Sequence, residues 1–101
     1  MNPVAVQVPA DHPAFAGHFP GQPLLPGVSL LALVLEAALG DRALAAAVGQ
    51  APRLGAVKFL APVGPGTSLA LHFESTATAL RFEVRAGARI AASGHFERDS
   101  T

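Results

Sequence analysis

Residues 11–27 read DHPAFAGHFPGQPLLPG, and this stretch decides how the rest of the chain is arranged. It holds four prolines, three glycines and two histidines in 17 residues. Each proline fixes φ and lacks a backbone N–H, and the residue before it is pushed towards extended backbone. We therefore expect a stiff, irregular loop rather than a helix or a central strand. A stiff loop ahead of an apolar segment is a typical place for binding or catalysis.

The segment after this loop predicts a helix. Residues 27–39, GVSLLALVLEAAL, are rich in Leu and Ala, which favour helices. Pro26 precedes the segment, where a helix start tolerates proline, and Gly40 follows it as a stop signal. Ser29 and Glu36 are its only polar side chains. Because the helix is apolar nearly all round, we expect it to be buried on most sides at the centre of the fold.

Strand patterns surround this helix. Apolar and polar residues alternate before the loop and again in several later segments, which Gly and Pro turn signals separate. The predicted elements are a strand at 4–8, a second helix or a kinked continuation of the first at 41–48 with Asp41 as N-cap, and strands at 54–63, 68–75, 78–85 and 88–96. We predict an α+β fold, in which a curved antiparallel sheet of about five strands wraps around one central helix.

The composition limits the possible functions. Residues 1–101 are predicted to form one domain, and 50% of them are hydrophobic, so we expect a dimer or larger assembly to cover apolar surface. The net charge of zero provides no general attraction to nucleic acid or to a membrane surface. There is no Cys, and the start of the chain lacks a signal-peptide pattern. We expect a cytoplasmic protein that uses no cofactor and no metal.

Two motifs resemble a known family. Residues 17–28, GHFPGQPLLPGV, resemble the signature loop of the β-hydroxyacyl-acyl-carrier-protein dehydratases of the hotdog fold, and 56–68, AVKFLAPVGPGTS, are similar to a later strand and turn of that family. In its short length and in its LLPGV segment, the chain resembles the reduced dehydratases of aryl-polyene pigment clusters. The resemblance covers roughly residues 4–97. It implies a sheet around a central helix, active sites at a dimer interface, and acyl carrier protein as the partner.

The resemblance also implies roles for individual residues. His18 would be the base that removes the C2 proton of a β-hydroxyacyl thioester. The backbone N–H of Gly27, at the helix start, would polarise the thioester carbonyl. The other residues expected to contact the substrate are Phe19, Pro26, Val28, Ser29 and Ala32.

The general acid of the family is missing from its expected position. Counting along the motif places that carboxylate at Ala32, which cannot donate a proton. Glu36 is the only carboxylate of the helix and lies on the same stripe, one turn further on. If Glu36 is buried among apolar side chains, it could hold the proton that the acid must deliver. Alternatively it bonds a backbone group or reaches solvent near Arg42.

Three functions stay open. The favoured one is dehydration of a β-hydroxyacyl thioester on acyl carrier protein to the 2-enoyl product, in fatty-acid or polyene biosynthesis, with Glu36 or a water as acid. The second is a non-catalytic hotdog subunit that pairs with an active homologue or binds acyl chains, and Ala32 motivates it. The third is a hotdog thioesterase, against which the histidine loop argues. Homodimers and heterodimers are both compatible with the sequence.

Overall fold

Alternating apolar residues place five strands in one antiparallel sheet. The computed structural model describes residues 2–15 and 24–98. The elements follow one another as β1 (Val4–Gln7), a 3-10 turn (Pro13–Phe15), α1 (Gly27–Leu39), α2 (Arg42–Val48), β2 (Arg53–Phe59), β3 (Ser68–Ser75), β4 (Ala79–Ala86) and β5 (Arg89–Glu97). The strands lie in the order β1-β3-β4-β5-β2, with every neighbouring pair antiparallel. β1 and β2 are therefore the two edges of the sheet.

The buried core lies on the inner face of this sheet. The alternation in β4 shows how the sequence sets it: Leu80, Phe82 and Val84 are buried, whereas Arg81 and Arg85 are exposed. Side chains of successive strand residues point to opposite faces, so the alternation in β4 directs its large apolar groups to the inner face. The predicted covered face of the sheet is confirmed.

α1 covers the inner face with one of its sides. Leu30, Val34 and Ala38 are buried, and their spacing of four residues forms a single stripe. Val28 and Leu39, on the other side of the helix, are 78% and 52% exposed. The expectation that α1 is buried on most sides is confirmed in part, since the residues that flank the buried stripe are half-buried against the core and one stripe of the helix is exposed. One sheet can cover only one side of a helix, so the remaining apolar side faces outward.

α2 is a separate helix with the predicted cap. The backbone of Asp41 is extended, and its carboxylate accepts a hydrogen bond from the Leu44 N–H at 3.0 Å. This bond satisfies one of the backbone donors that every helix start leaves without an intrahelical partner. Leu44 and Val48 are buried against the core. Neither helix in the described part of the chain has the length and apolar character needed to cross a membrane.

β2 is shorter than the predicted strand at 54–63. It ends at Phe59, and its pairing with β5 is irregular between Gly55 and Lys58. Ala56, inside this irregularity, has a φ of 50° and is the one non-glycine residue with positive φ among the described residues. An extra residue in one strand of an antiparallel pair bends that strand and breaks the alternation of faces, which a pattern of single residues does not reveal.

Arg98, the residue after β5, ties this end of the strand to the β3–β4 turn. Its backbone N–H donates to the Thr78 carbonyl at 3.0 Å. Its guanidinium donates to Ser75 Oγ at 2.7 Å, to the Ala79 carbonyl at 3.3 Å and to the Thr76 carbonyl. One cation therefore satisfies two carbonyls of the turn, and charge-assisted bonds of this kind are stronger than neutral ones.

Candidate active site

The first turn of α1 has backbone donors without a partner inside the helix. Pro26 is the N-cap, and no side chain caps the helix there. The Pro26 carbonyl accepts from the N–H groups of Ser29 and Leu30, both at 3.0 Å. The N–H groups of Gly27 and Val28 have no hydrogen-bond partner among residues 2–15 and 24–98. Such donors, aided by the helix dipole, favour a ligand oxygen that carries negative charge.

An apolar pocket of about 450 Å³ lies beside this turn. We call it the helix-end pocket; its walls are Leu24, Leu25, Gly27, Leu30 and residues 59–63. A hydrogen bond of 2.7 Å from the Leu25 N–H to the Val63 carbonyl ties the two wall segments together. None of the described residues in its walls has a charged side chain. A largely apolar cavity with backbone donors at one end is typical of a site for a ligand with a hydrocarbon part and one polar group.

Phe59 closes the helix-end pocket against α1. A β-carbon added to Gly27 would lie 2.6 Å from Phe59 Cζ and 2.9 Å from Cε2, which is closer than atoms can approach. The tip of the ring therefore rests on the α-carbon of Gly27. Gly27 has no positive φ, so glycine is required here for space and not for backbone conformation. The Phe59 side chain is still 53% exposed, because α1 contacts only one side of it.

The predicted site residues at the loop and the first helical turn fall into two groups. His18 and Phe19, the predicted base and its neighbour, lie outside the described residues. Gly27 forms part of the pocket wall, and Pro26 adjoins it as the N-cap. Val28 is 78% exposed and does not line the pocket. Gly27 therefore lies in the wall of a cavity, and the binding of a carbonyl by its N–H stays a prediction.

The predicted acid does not reach this cavity from the same chain. Ala32 and Glu36 are both exposed, and Ser29 is half-buried beside them on the outward side of α1. The expected burial of Glu36 is wrong for the single chain, because the sheet covers the opposite stripe of the helix. Of the alternatives drawn from the sequence, the exit of Glu36 to solvent agrees with this position.

The outer face of the sheet carries a second, larger groove of about 620 Å³ with polar walls. His95 Nε2 lies 3.2 Å from Glu97 Oε1, and Gly55 leaves the room that the imidazole occupies. Glu83 and Arg85 form an ion pair on the neighbouring strand. Acidic and basic residues alternate here, which is typical of a solvated sheet face. In the described part of the chain, no three His, Asp or Glu side chains are grouped to hold a metal ion.

The pocket walls at 59–63 were not predicted from the sequence. Two features of the sequence indicate that residues 59–63 differ from a regular strand. Phe59 and Leu60 are consecutive large apolar residues, which an alternating strand with one covered face does not need, and Pro62 ends the strand pattern. Their contact with Gly27 is a long-range one that local patterns do not predict.

A curved antiparallel sheet around one helix, with an apolar pocket at the N-terminus of that helix, is the arrangement of the hotdog proteins. The chain superposes with a TM-score of 0.72 and 27% identity on a solved structure of the dehydratase heterocomplex ApeI:P from Xenorhabdus doucetiae, covering 95% of this chain and 86% of that one. It superposes with a TM-score of 0.70 and 32% identity on an uncharacterized protein from Erwinia carotovora subsp. atroseptica, covering 94% and 79%. The predicted hotdog fold is confirmed.

Sequence comparison identifies the family. The ApeI-like family, described as ApeI dehydratase, matches residues 3–97, and the chain belongs to this family. A 3-hydroxyacyl-[acyl-carrier-protein] dehydratase FabZ from Anaeromyxobacter sp. (strain Fw109-5) is 38% identical over 79 residues, which cover 66% of this chain and 48% of the relative. The FabZ of Chlamydia trachomatis serovar L2 is 39% identical over 77 residues, with coverages of 66% and 48%. The chain spans about half the length of these curated relatives.

Proposed function

We propose that this protein dehydrates β-hydroxyacyl thioesters on acyl carrier protein to 2-enoyl thioesters, in fatty-acid or polyene biosynthesis. The observation that carries the proposal is the helix-end pocket, an apolar cavity with Gly27 in its wall. It lies at the first turn of α1, where the N–H groups of Gly27 and Val28 have no hydrogen-bond partner among the described residues. A thioester has the matching chemistry, with one polar carbonyl beside a hydrocarbon chain. The dehydratases among the relatives and structural neighbours support the same reaction class.

The helix amides would act on the charge that develops in the reaction. Removal of the C2 proton moves negative charge onto the thioester oxygen, and backbone donors fixed at that oxygen stabilise this charge without having to reorganise. His18 is the proposed base, on the strength of its motif. The C3–O bond then breaks, the C2–C3 double bond forms, and the hydroxyl leaves as water after it receives a proton.

The source of that last proton follows from the exposure of Glu36. Glu36 is exposed on the outward side of α1 and is not among the described residues that form the pocket walls of its own chain. We propose that the proton taken from C2 returns to the departing hydroxyl through the imidazolium of His18, which balances the reaction without a second group. A carboxylate from a partner subunit is the other possible source.

We propose a dimer that covers β2 and the outward side of α1. An edge strand has backbone N–H and C=O groups without partners, and β2 adds exposed apolar side chains to them. The large exposed apolar residues of this region are Val28, Leu39, Leu54, Phe59 and Leu60. The heterocomplex from Xenorhabdus supports a heterodimer of hotdog subunits, and a homodimer is the alternative that the sequence also allows.

A second function rests on a separate observation. Ala32 replaces the family carboxylate, and Glu36 does not reach the pocket of its own chain. This combination favours a non-catalytic subunit that pairs with an active homologue. The thioesterase alternative required a helix carboxylate beside the substrate, and the exposure of Glu36 gives it no support. Location in the cytoplasm and a single domain over 1–101 stay predictions.

The test is an assay of the purified protein with a β-hydroxyacyl thioester on acyl carrier protein, with 2-enoyl product followed by mass spectrometry. His18→Ala should lower the rate by about 10²–10⁴-fold, as expected for loss of a general base. Glu36→Gln should keep the wild-type rate. His72→Ala is the matched control, because this histidine is half-buried on β3, away from the helix-end pocket, and should have no effect.

The outcomes separate the two functions. A wild-type rate equal to that of His18→Ala would refute catalysis by this chain. If a homologous subunit that co-purifies from the host then restores dehydration, and His18→Ala does not impair the restored rate, the non-catalytic subunit is the correct function.

A further inference from the structure

We infer that Phe59 makes the helix-end pocket selective for thioesters that carry no branch at C2. The inference rests on the proposed function, since it assigns the substrate class that the same site accepts. It starts from the contact between the Phe59 ring and Gly27, and from the chemistry of the pocket walls.

The contact between Phe59 and Gly27 shows how little space is left beside the first residue of α1. A single carbon added to Gly27 would lie 2.6 Å, 2.9 Å and 3.0 Å from three atoms of the Phe59 ring. The ring thus excludes a methyl group from the space beside the Gly27 α-carbon. A thioester carbonyl that accepts a bond from the N–H of the same residue brings its neighbouring carbon close to this α-carbon. A methyl branch on that carbon would meet the same ring.

The pocket walls determine which neighbour of the carbonyl faces the ring. A thioester carbonyl is flanked by C2 of the acyl group on one side and by the sulfur of the pantetheine arm on the other. The pantetheine arm contains two amides that need hydrogen-bond partners when buried. None of the described residues that form the helix-end pocket has a polar side chain. The acyl side therefore enters the pocket, and C2 is the atom next to Phe59.

Backbone hydrogen bonds around Phe59 prevent a shift of the strand end that would move the whole ring. Phe59 pairs with Ala92 of β5 at the end of β2. Directly after it, the N–H groups of Leu60 and Ala61 both donate to the Ala91 carbonyl, at 2.8 Å and 3.2 Å. These bonds fix the strand end on β5. Only rotation of the side chain, or a smaller residue at position 59, makes room for a branch.

The experiment compares two substrates on acyl carrier protein, the 3-hydroxybutyryl and the 2-methyl-3-hydroxybutyryl thioesters. A group of one carbon in a hydrophobic pocket is worth about 10–200-fold in kcat/KM. We expect the wild type to prefer the unbranched substrate by about 100-fold, Phe59→Ala to reduce this preference at least about tenfold, and Phe59→Leu to lie between them. Ile90→Ala, which removes an apolar residue exposed on β5, should keep the wild-type preference.

A binding measurement separates this inference from the proposed reaction. Isobutyryl-pantetheine and butyryl-pantetheine amides, which cannot react, are titrated calorimetrically against wild type and Phe59→Ala. If dehydration is absent but Phe59→Ala selectively improves binding of the branched amide, the proposed reaction fails and the inference stands. If wild type binds both amides equally, or if Phe59→Ala weakens the binding of both amides to the same extent, Phe59 does not discriminate against a branch at C2.

A reciprocal substitution tests the contact itself. Gly27→Ala should lower the melting temperature because the new β-carbon meets the Phe59 ring, and Phe59→Ala in the same chain should restore it. A double variant no more stable than Gly27→Ala alone would show that the ring does not occupy this space. Light scattering on each variant records the assembly state. Altered selectivity that appears only in dissociated protein would assign Phe59 to the interface and overturn the inference.

Discussion

The two edges of the sheet are built differently. β1 has four residues and stands between Pro3 and Pro9, and proline at the ends of a short strand makes an edge unsuitable for further pairing. β2 has seven residues and exposes Leu54 and Phe59, with Leu60 directly after it. The first edge needs no cover, whereas the second has apolar groups and backbone donors to bury.

This difference divides the molecule into two sides. The closed side consists of β1, the β3–β4 hairpin and α2, where apolar groups are covered and turns are capped. The open side consists of β2 and the outward side of α1. Substitutions on the closed side should change the free energy of unfolding of the single chain. Substitutions on the open side should change assembly and leave the folding of the single chain nearly intact.

The largest expected effect is on the open side. Leu54→Asp should raise the dissociation constant of the dimer by about 100-fold or more, because it places a charge where the interface is apolar. The fold should survive, since Leu54 is already 48% exposed in the single chain. Sedimentation equilibrium measures the constant.

The matched control for this substitution is Ala5→Asp on β1, where the residue is also exposed. Its dissociation constant should equal that of the wild type. A wild type that is monomeric at micromolar concentration, or dissociation by Ala5→Asp rather than by Leu54→Asp, would reverse the assignment of the two edges.

The next effect is on the closed side. Arg98→Ala should lower the free energy of unfolding by about 2 kcal/mol, because it removes charge-assisted bonds to the carbonyls of Thr76 and Ala79. Urea denaturation measures the loss, and the dimer dissociation constant should not change. Arg89→Ala is the control: Arg89 is exposed and forms no ion pair with a described residue. Equal losses in both variants would mean that the bonds of Arg98 to the turn are not stabilising.

A smaller effect is expected at the start of α2. Asp41→Ala should cost about 1 kcal/mol of unfolding free energy, since the bond from the Leu44 N–H to the carboxylate is lost. Asp41→Asn keeps an acceptor at this position and should retain most of the stability. Thermal and urea unfolding of the pair distinguish a lost cap from a lost charge: if the asparagine variant is as unstable as the alanine variant, the capping bond is not the cause.

The smallest effect is expected on β2 itself. Arg53 lies 3.9 Å from a carboxylate oxygen of Glu97, but the two side chains are 78% and 48% exposed. An exposed ion pair contributes little, so Arg53→Ala should change the unfolding free energy by less than about 0.5 kcal/mol. Urea curves at low and high salt should coincide for the variant and the wild type. A larger, salt-dependent loss would show that the single chain depends on β2 more than the comparison of edges implies.

Features with local signals were predictable from the sequence. α1 begins and ends as predicted, because Pro26 and Gly40 mark its boundaries. β3 also has the predicted bounds, since strict alternation defines a strand with one covered face. The Asp41 cap follows from the residue type and its place before an Ala-rich segment. Each of these depends on neighbours a few residues away.

Features that depend on distant partners were not predictable. The contact of Phe59 with Gly27 joins segments far apart in sequence, and so do the bonds of Arg98 to the β3–β4 turn. The prediction that Glu36 is buried was wrong for a related reason. The apolar composition of α1 indicates that the helix needs cover, but it does not say whether the same chain or another one provides it. The structure shows that the single chain leaves one stripe of the helix exposed.

The prolines beside β1 also govern how far the sheet can extend. Strand addition requires an edge with accessible backbone groups, and Pro3 and Pro9 restrict β1 to a four-residue strand between residues that lack an N–H. Among the described strands, the sheet therefore has one edge suited to a further strand, which is β2. In the proposed dimer, pairing of β2 with the partner leaves β1 as the outer edge, which does not favour strand addition. The proposed dimer would thus close the assembly, so an apolar edge strand would carry less risk of fibres.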